Sequence, residues 1–128
     1  MRKWTQAMLV VLLSALPGFA ADPYGLWETQ KTKRGSYLHV NVTACRKNPE
    51  RLCGYINETF KTKHTQIVGR ALFWGMRDAG DGTWKGGKVW VAYQNKTYAG
   101  RVKMRGNALR VEGCLGPICD GQNWSRVK

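Results

Sequence analysis

Acidic residues are scarce: eight aspartates and glutamates face 21 lysines and arginines, giving a formal charge of +13 over 128 residues. Histidine is scarcer still, with His39 and His64 alone, and no nucleophile motif adjoins either. The acids are scattered, so neither a carboxylate pair nor a nucleophile–base arrangement is legible, and the sequence is read as non-enzymatic. Residues 78–82 have the outline of a calcium loop but lack the alternate-position ligands and the distal glutamate that chelation requires, so they are read as a hairpin turn. Gly86-Gly87 is followed by no phosphate loop and helix, and a tight strand start accounts for the pair. No cofactor is implied.

Long apolar runs are also missing. The longest, residues 7–16, is about half of the roughly 20 residues that span a bilayer, and Pro17-Gly18 breaks it. With Arg2 and Lys3 before it and Gly18-Phe19-Ala20 after it, the run has the three parts of a secretory leader cut after Ala20. Residues 21–128 then make one domain with a modest core and no transmembrane span, exported to the periplasm or the extracellular space. Export makes nucleic acid a poor candidate partner despite the charge.

Four cysteines, an even number in an exported chain, point to disulfides. Three connectivities are open. Cys45 and Cys53 flank a turn around Lys47-Asn48-Pro49-Glu50, and Cys114 and Cys119 flank Leu115-Gly116-Pro117-Ile118, which favours the pairings Cys45–Cys53 and Cys114–Cys119. Neither spacing is the C-x-x-C of common zinc sites and both histidines are distant in sequence, so no metal is expected.

No period of three or four argues for a helix. Leu38, Val40, Val42 and Ala44 alternate with Tyr37, His39, Asn41 and Thr43, and Tyr98, Val102 and Met104 alternate with Arg101, Lys103 and Arg105, giving one apolar and one wet face. Further strands are expected at 26–30, 53–58, 71–77, 88–93, 108–113 and 122–127. Turn residues at 33–35, 78–82, 94–96 and 105–107 reverse the chain between them. About eight sequential strands are best closed into an all-β, up-and-down antiparallel barrel, because closure removes both exposed edges. The chain ends fit such closure: Gly25-x-Trp27 stands on the first strand, Trp124-x-Arg126 on the last.

Gly25-x-Trp27 and Arg126 resemble the lipocalin and calycin signature, in which an arginine packs across a tryptophan at the closed barrel end. The ordered set Asp22-Pro23-x-Gly25-x-Trp27, Cys45, Cys53-Gly54, Gly82-x-Trp84-x-Gly86-Gly87, Lys96-Thr97-Tyr98, Leu109-x-Val111-x-Gly113-Cys114, Cys119 and Trp124-x-Arg126 is similar to the small exported bacterial proteins of the domain of unknown function two-one-four-seven family. Two segments depart from that pattern, a shortened stretch at 60–66 and Val91-Ala92-Tyr93-Gln94-Asn95 before Lys-Thr-Tyr. The resemblance implies a lipocalin-like barrel outside the cytoplasm, with no established activity.

Trp74, Met76, Tyr93, Tyr98 and Met104 fall at parities that could face the barrel interior. Flexible sulfur and flat rings suit an apolar small molecule, although eight strands enclose little more room than their own side chains occupy, so filler and pocket are both open readings. Trp27 and Trp124 are read as structural. Arg101, Lys103, Arg105 and Arg110 form a basic stripe on the outer face, suited to anionic lipid, lipopolysaccharide or wall polymer, or simply to solvation. The leading expectation is a non-catalytic binder of a small apolar ligand; the alternatives are a basic-surface adaptor and a structural envelope protein without a ligand.

Overall fold

A computed structural model describes residues 22–128; the leader assigned to residues 1–20 lies outside them. Eight strands follow in order: β1 (Gly25–Glu28), β2 (Tyr37–Ala44), β3 (Leu52–Phe60), β4 (Ala71–Gly80), β5 (Thr83–Val91), β6 (Lys96–Arg105), β7 (Ala108–Leu115) and β8 (Ile118–Arg126). Each pairs antiparallel with the next, and β1 pairs with β8, so the sheet is a closed eight-stranded up-and-down barrel. The period-two pattern decides which face is buried. On β2, Val40 and Val42 are buried while Asn41 between them is exposed, and on β6, Val102 is buried between Arg101 and Lys103. One short 3-10 turn, Thr65–Ile67, lies in the connection between β3 and β4.

Boundaries move where the turns fall at other positions than the sequence suggests. The reversal expected over 78–82 contracts to Asp81-Gly82, with Ala79 and Gly80 still in β4. β5 stops at Val91 rather than at Tyr93, because Ala92 to Asn95 form the turn and Asn95 takes φ 52° to complete it.

The ends of the chain close the barrel. Trp27 sits opposite Arg126 in the β1–β8 register, and the Leu26 amide donates to the Lys128 carbonyl at 2.8 Å. The Arg126 guanidinium lies 4.4 Å from the centre of the Trp27 ring and donates to the carbonyls of Tyr24 (2.9 Å) and Asp22 (2.6 Å). Gly25 explains itself here: its φ is +142°, and a Cβ would stand 2.6 Å from the Lys128 carbonyl oxygen and 2.8 Å from Arg126 Nη1. Replacing Arg126 by Ala removes the cation–π contact and two charged hydrogen bonds, with an expected loss of about 1 to 3 kcal/mol. Urea unfolding checks this: the midpoint falls and the slope is retained.

The closed half is solidly packed. Trp27, Val40, Val42, Ile56, Phe73, Met76, Val102, Leu109 and Trp124 are all essentially inaccessible to solvent. Phe73 tilts against Trp124 with ring centres 6.0 Å apart, and Gly54 leaves room for the Phe73 ring, which a Cβ there would meet at 2.6 Å. Both local disulfides are present. Cys45–Cys53 ties β2 to β3, and Cys114–Cys119 ties β7 to β8 at the opposite end of the barrel. Opening either by a double Cys→Ser change releases a short loop and is expected to cost about 2 to 3 kcal/mol on the chain-entropy account. Circular dichroism should show the same strand content with a lower Tm.

Candidate functional site: a cavity at the open end

In an antiparallel meander, alternate connections emerge at the same end. The connections 29–36, 61–70, 92–95 and 116–117 therefore crown one end of the barrel, while 45–51, 81–82 and 106–107 share the other with the Trp27–Arg126 closure. Packing stops short of the crowned end. A cavity of about 980 Å³ opens there, lined in its buried part by Thr29, Leu72, Trp90, Val111 and Trp124, and more shallowly by Leu38 and Tyr98. That volume lies near the upper end of ordinary ligand pockets, roughly 300 to 1,000 Å³.

The buried polar groups in the lining are spoken for. The Thr29 hydroxyl accepts from the Leu38 amide at 2.9 Å, and Gln122 Oε1 accepts from Trp124 Nε1–H at 3.0 Å. Of the His, Asp, Glu, Lys and Arg side chains the lining holds His64 and Asp120, both exposed at the rim. The interior is thus neutral and mainly apolar. A charge moved into it would lose hydration without a partner, whereas an apolar molecule would gain burial.

Of the five residues expected to line an interior site, the structure brings Tyr98 and Tyr93 to this cavity. Tyr93 is at the rim, on the turn after β5, and 86% exposed, because β5 ends two residues earlier than its apolar run suggests. The other three lie outside the lining. Met76 is fully buried, with its terminal methyl in the space that a side chain at Gly100 would need, so it fills the core. Trp74 is half-buried and shares a register row with exposed Lys88. Met104 lies toward the other end, where its amide donates to the Gly82 carbonyl at 2.8 Å.

Sequence reasoning missed Leu38, Leu72, Trp90 and Val111 as lining residues and took Trp124 as purely structural. Alternation marked Leu38 as an apolar-face position, but alternation gives a face and not a height along the barrel. Leu72 depends on the register irregularity between Gly54 and Tyr55, which no spacing announces.

The basic stripe lies across β6 and β7, with Lys103 opposite Arg110, Arg101 opposite Glu112 and Arg105 opposite Ala108. Glu112 gathers two of its four cations: Arg101 Nη2 is 2.9 Å from Oε1 and Arg110 Nε 3.2 Å from Oε2. Burial would raise the Glu112 carboxyl, but hydrogen bonds and charge from Arg101 and Arg110 outweigh it and hold the group below the usual glutamate range. A depressed pKa contributes stability above the unfolded value, and that contribution disappears as pH falls through the folded value. Glu112→Gln should therefore be less stable than wild type at neutral pH by about 1 to 3 kcal/mol, with the gap closing as the solution is acidified below the ordinary glutamate pKa. Paired melting curves across the acid range test the convergence.

The histidines lie apart. His39 Nε2 is 3.0 Å from Glu28 Oε1, against the Phe60 ring, and His64 is exposed in the connection after β3. Among the described residues, no three His, Cys, Asp or Glu side chains cluster as metal ligands would, and no helix is long and apolar enough to cross a membrane.

A closed antiparallel barrel with an open, apolar upper half is a lipocalin-like architecture, and the chain belongs to the family described as "Uncharacterized protein conserved in bacteria (DUF2147)", matched over residues 25–126. Among solved structures it is similar to HP1028 of Helicobacter pylori, described as belonging to the lipocalin family, with a TM-score of 0.65 and 17% identity over 84% of each chain. At that identity the likeness concerns the fold. No curated protein matches the chain.

Proposed function

We propose that this protein is an exported, non-catalytic binder that holds a small apolar molecule in the upper half of its barrel. The observation that carries the reading is the largely apolar cavity of about 980 Å³, with His64 and Asp120 confined to its rim, above a packed floor that includes Trp124. Barrels of eight strands leave room for one small ligand when their interiors are not filled, and here one half is filled and the other is not. Two disulfides suit an oxidising compartment, in keeping with the leader-like residues 1–20. The separated histidines and the neutral interior support binding over catalysis.

Titration with the apolar dye N-phenylnaphthylamine tests it, with saturable one-to-one enhancement of dye emission as the expected result. No saturable binding, together with no co-purifying small molecule in native mass spectrometry, would leave a structural protein without a ligand. A basic-surface adaptor working through Arg101, Lys103, Arg105 and Arg110 is less favoured, since Glu112 engages two of those four cations.

A further inference from the structure

We propose that the open end of the barrel is a docking surface for an anionic lipid bilayer, with an apolar lip that enters the membrane interface and basic loops that hold the headgroups. This reading concerns the rim of the mouth, where Tyr93, Leu115 and Ile118 stand, and does not require the cavity to be occupied.

The three most exposed large apolar residues of the described chain are Tyr93 (86%), Ile118 (74%) and Leu115 (70%), and all three stand at this end. Tyr93 tips the β5–β6 turn, while Leu115 and Ile118 face each other beside the β7–β8 turn. Single exposed apolar residues need no explanation, but a group at one end of a molecule marks an interaction surface. These tips are also held in place from below. Trp90 Nε1–H donates to Asn95 Oδ1 at 3.0 Å and the Tyr98 hydroxyl donates to Gln94, which fixes the turn under Tyr93. The Cys114–Cys119 disulfide bridges the strands immediately beneath Leu115 and Ile118. Rigid support of exposed apolar side chains lowers the ordering cost of burying them against a partner.

The charge at the same end identifies the partner. The connections 29–36 and 61–70 carry Lys31, Lys33, Arg34, Lys61, Lys63 and Arg70 and no Asp or Glu. Asp78, Asp81 and Glu50 stand at the opposite end of the barrel, and the acids near this end, Asp120 at the rim, Glu58 and the His39-paired Glu28, are fewer than its six cations. A fixed apolar lip beside acid-free basic loops is the combination that binds an anionic bilayer, each part being weak alone. In that orientation the cavity mouth faces the lipid.

Flotation of the mature chain, residues 21–128, without added ligand, with phosphatidylcholine vesicles containing or lacking phosphatidylglycerol tests the proposal. Binding is expected to the anionic vesicles only, and to fall between low and physiological salt as the Debye length shrinks from about 30 Å to about 8 Å. Leu115→Ser with Ile118→Ser, and separately Lys33→Gln, Arg34→Gln, Lys61→Gln and Lys63→Gln together, should each weaken partitioning by roughly tenfold or more. A Tyr93→Trp variant should shift its emission to the blue on anionic vesicles and be quenched by brominated acyl chains. The four-glutamine variant should keep wild-type affinity for N-phenylnaphthylamine in vesicle-free solution, so failure of docking and failure of the cavity reading are told apart. Melting curves confirm that each variant is folded. The proposal is overturned if the mouth variants float like wild type, if Lys103→Gln with Arg105→Gln abolishes flotation instead, or if sedimentation shows the lip buried in a dimer that Leu115→Ser and Ile118→Ser dissociate.

Discussion

Replacing Val111 by Trp should abolish dye binding while leaving the barrel folded. Val111 is 5% exposed and lines the buried part of the cavity, two residues along β7 from Leu109 in the packed floor, so an indole there projects into the space that a ligand would use. The affinity for N-phenylnaphthylamine is expected to fall by at least about 100-fold, or about 2.8 kcal/mol. The larger side chain has open volume to enter, so the stability change should stay within the roughly 1 to 3 kcal/mol usual for overpacking. Val111→Ile, which adds one methylene, should bind nearly as wild type. Leu38→Trp, from the other side of the barrel, should reproduce the loss. Undiminished dye affinity in both tryptophan variants would place binding outside the barrel.

The largest stability effect is expected at the closed end. Trp27 is fully buried, its Nε1–H donates to the Pro23 carbonyl at 2.8 Å, and its ring carries the Arg126 guanidinium. Trp27→Ala empties the floor at the seam between first and last strands and should cost about 3 to 5 kcal/mol, a large share of the 5 to 15 kcal/mol available to a domain. In a domain of this size that corresponds to a drop in Tm on the order of 15 °C or more. Trp27→Phe keeps an aromatic face for Arg126 but loses the indole hydrogen bond and some volume, so about 1 to 2 kcal/mol is expected. Equal Tm values for the two variants would remove the ring from the closure.

That seam was legible because its requirements are local and chemical. Gly25 is the residue that tolerates φ +142° against the returning strand, Trp27 alternates inward, and Arg126 ends the last strand directly opposite it. The disulfides were legible for a similar reason, since each pair flanks its own turn. The site was less so. Tyr98 reached the cavity, but Met76 and Met104, which share its parity argument, did not, because their heights along the barrel place them in the core and toward the closed end. Leu72 came to the lining through the irregular β3–β4 register, and Trp90 through its place at the end of β5 nearest the crowned end.

The sequence by itself determined that this chain is an all-β barrel closed first strand to last, with two local staples and a surplus of positive charge. Period-two alternation, turn residues and cysteine spacing act over a few residues, and those ranges are read directly from the chain. The tertiary structure decided where the interior is filled and where it is empty, which cations Glu112 engages, and which end gathers the exposed apolar tips. Each of these depends on register between strands distant in sequence. A shift of one residue in pairing, or one bulge, redirects a side chain to the other face or another level, and periodicity within a single strand is blind to it.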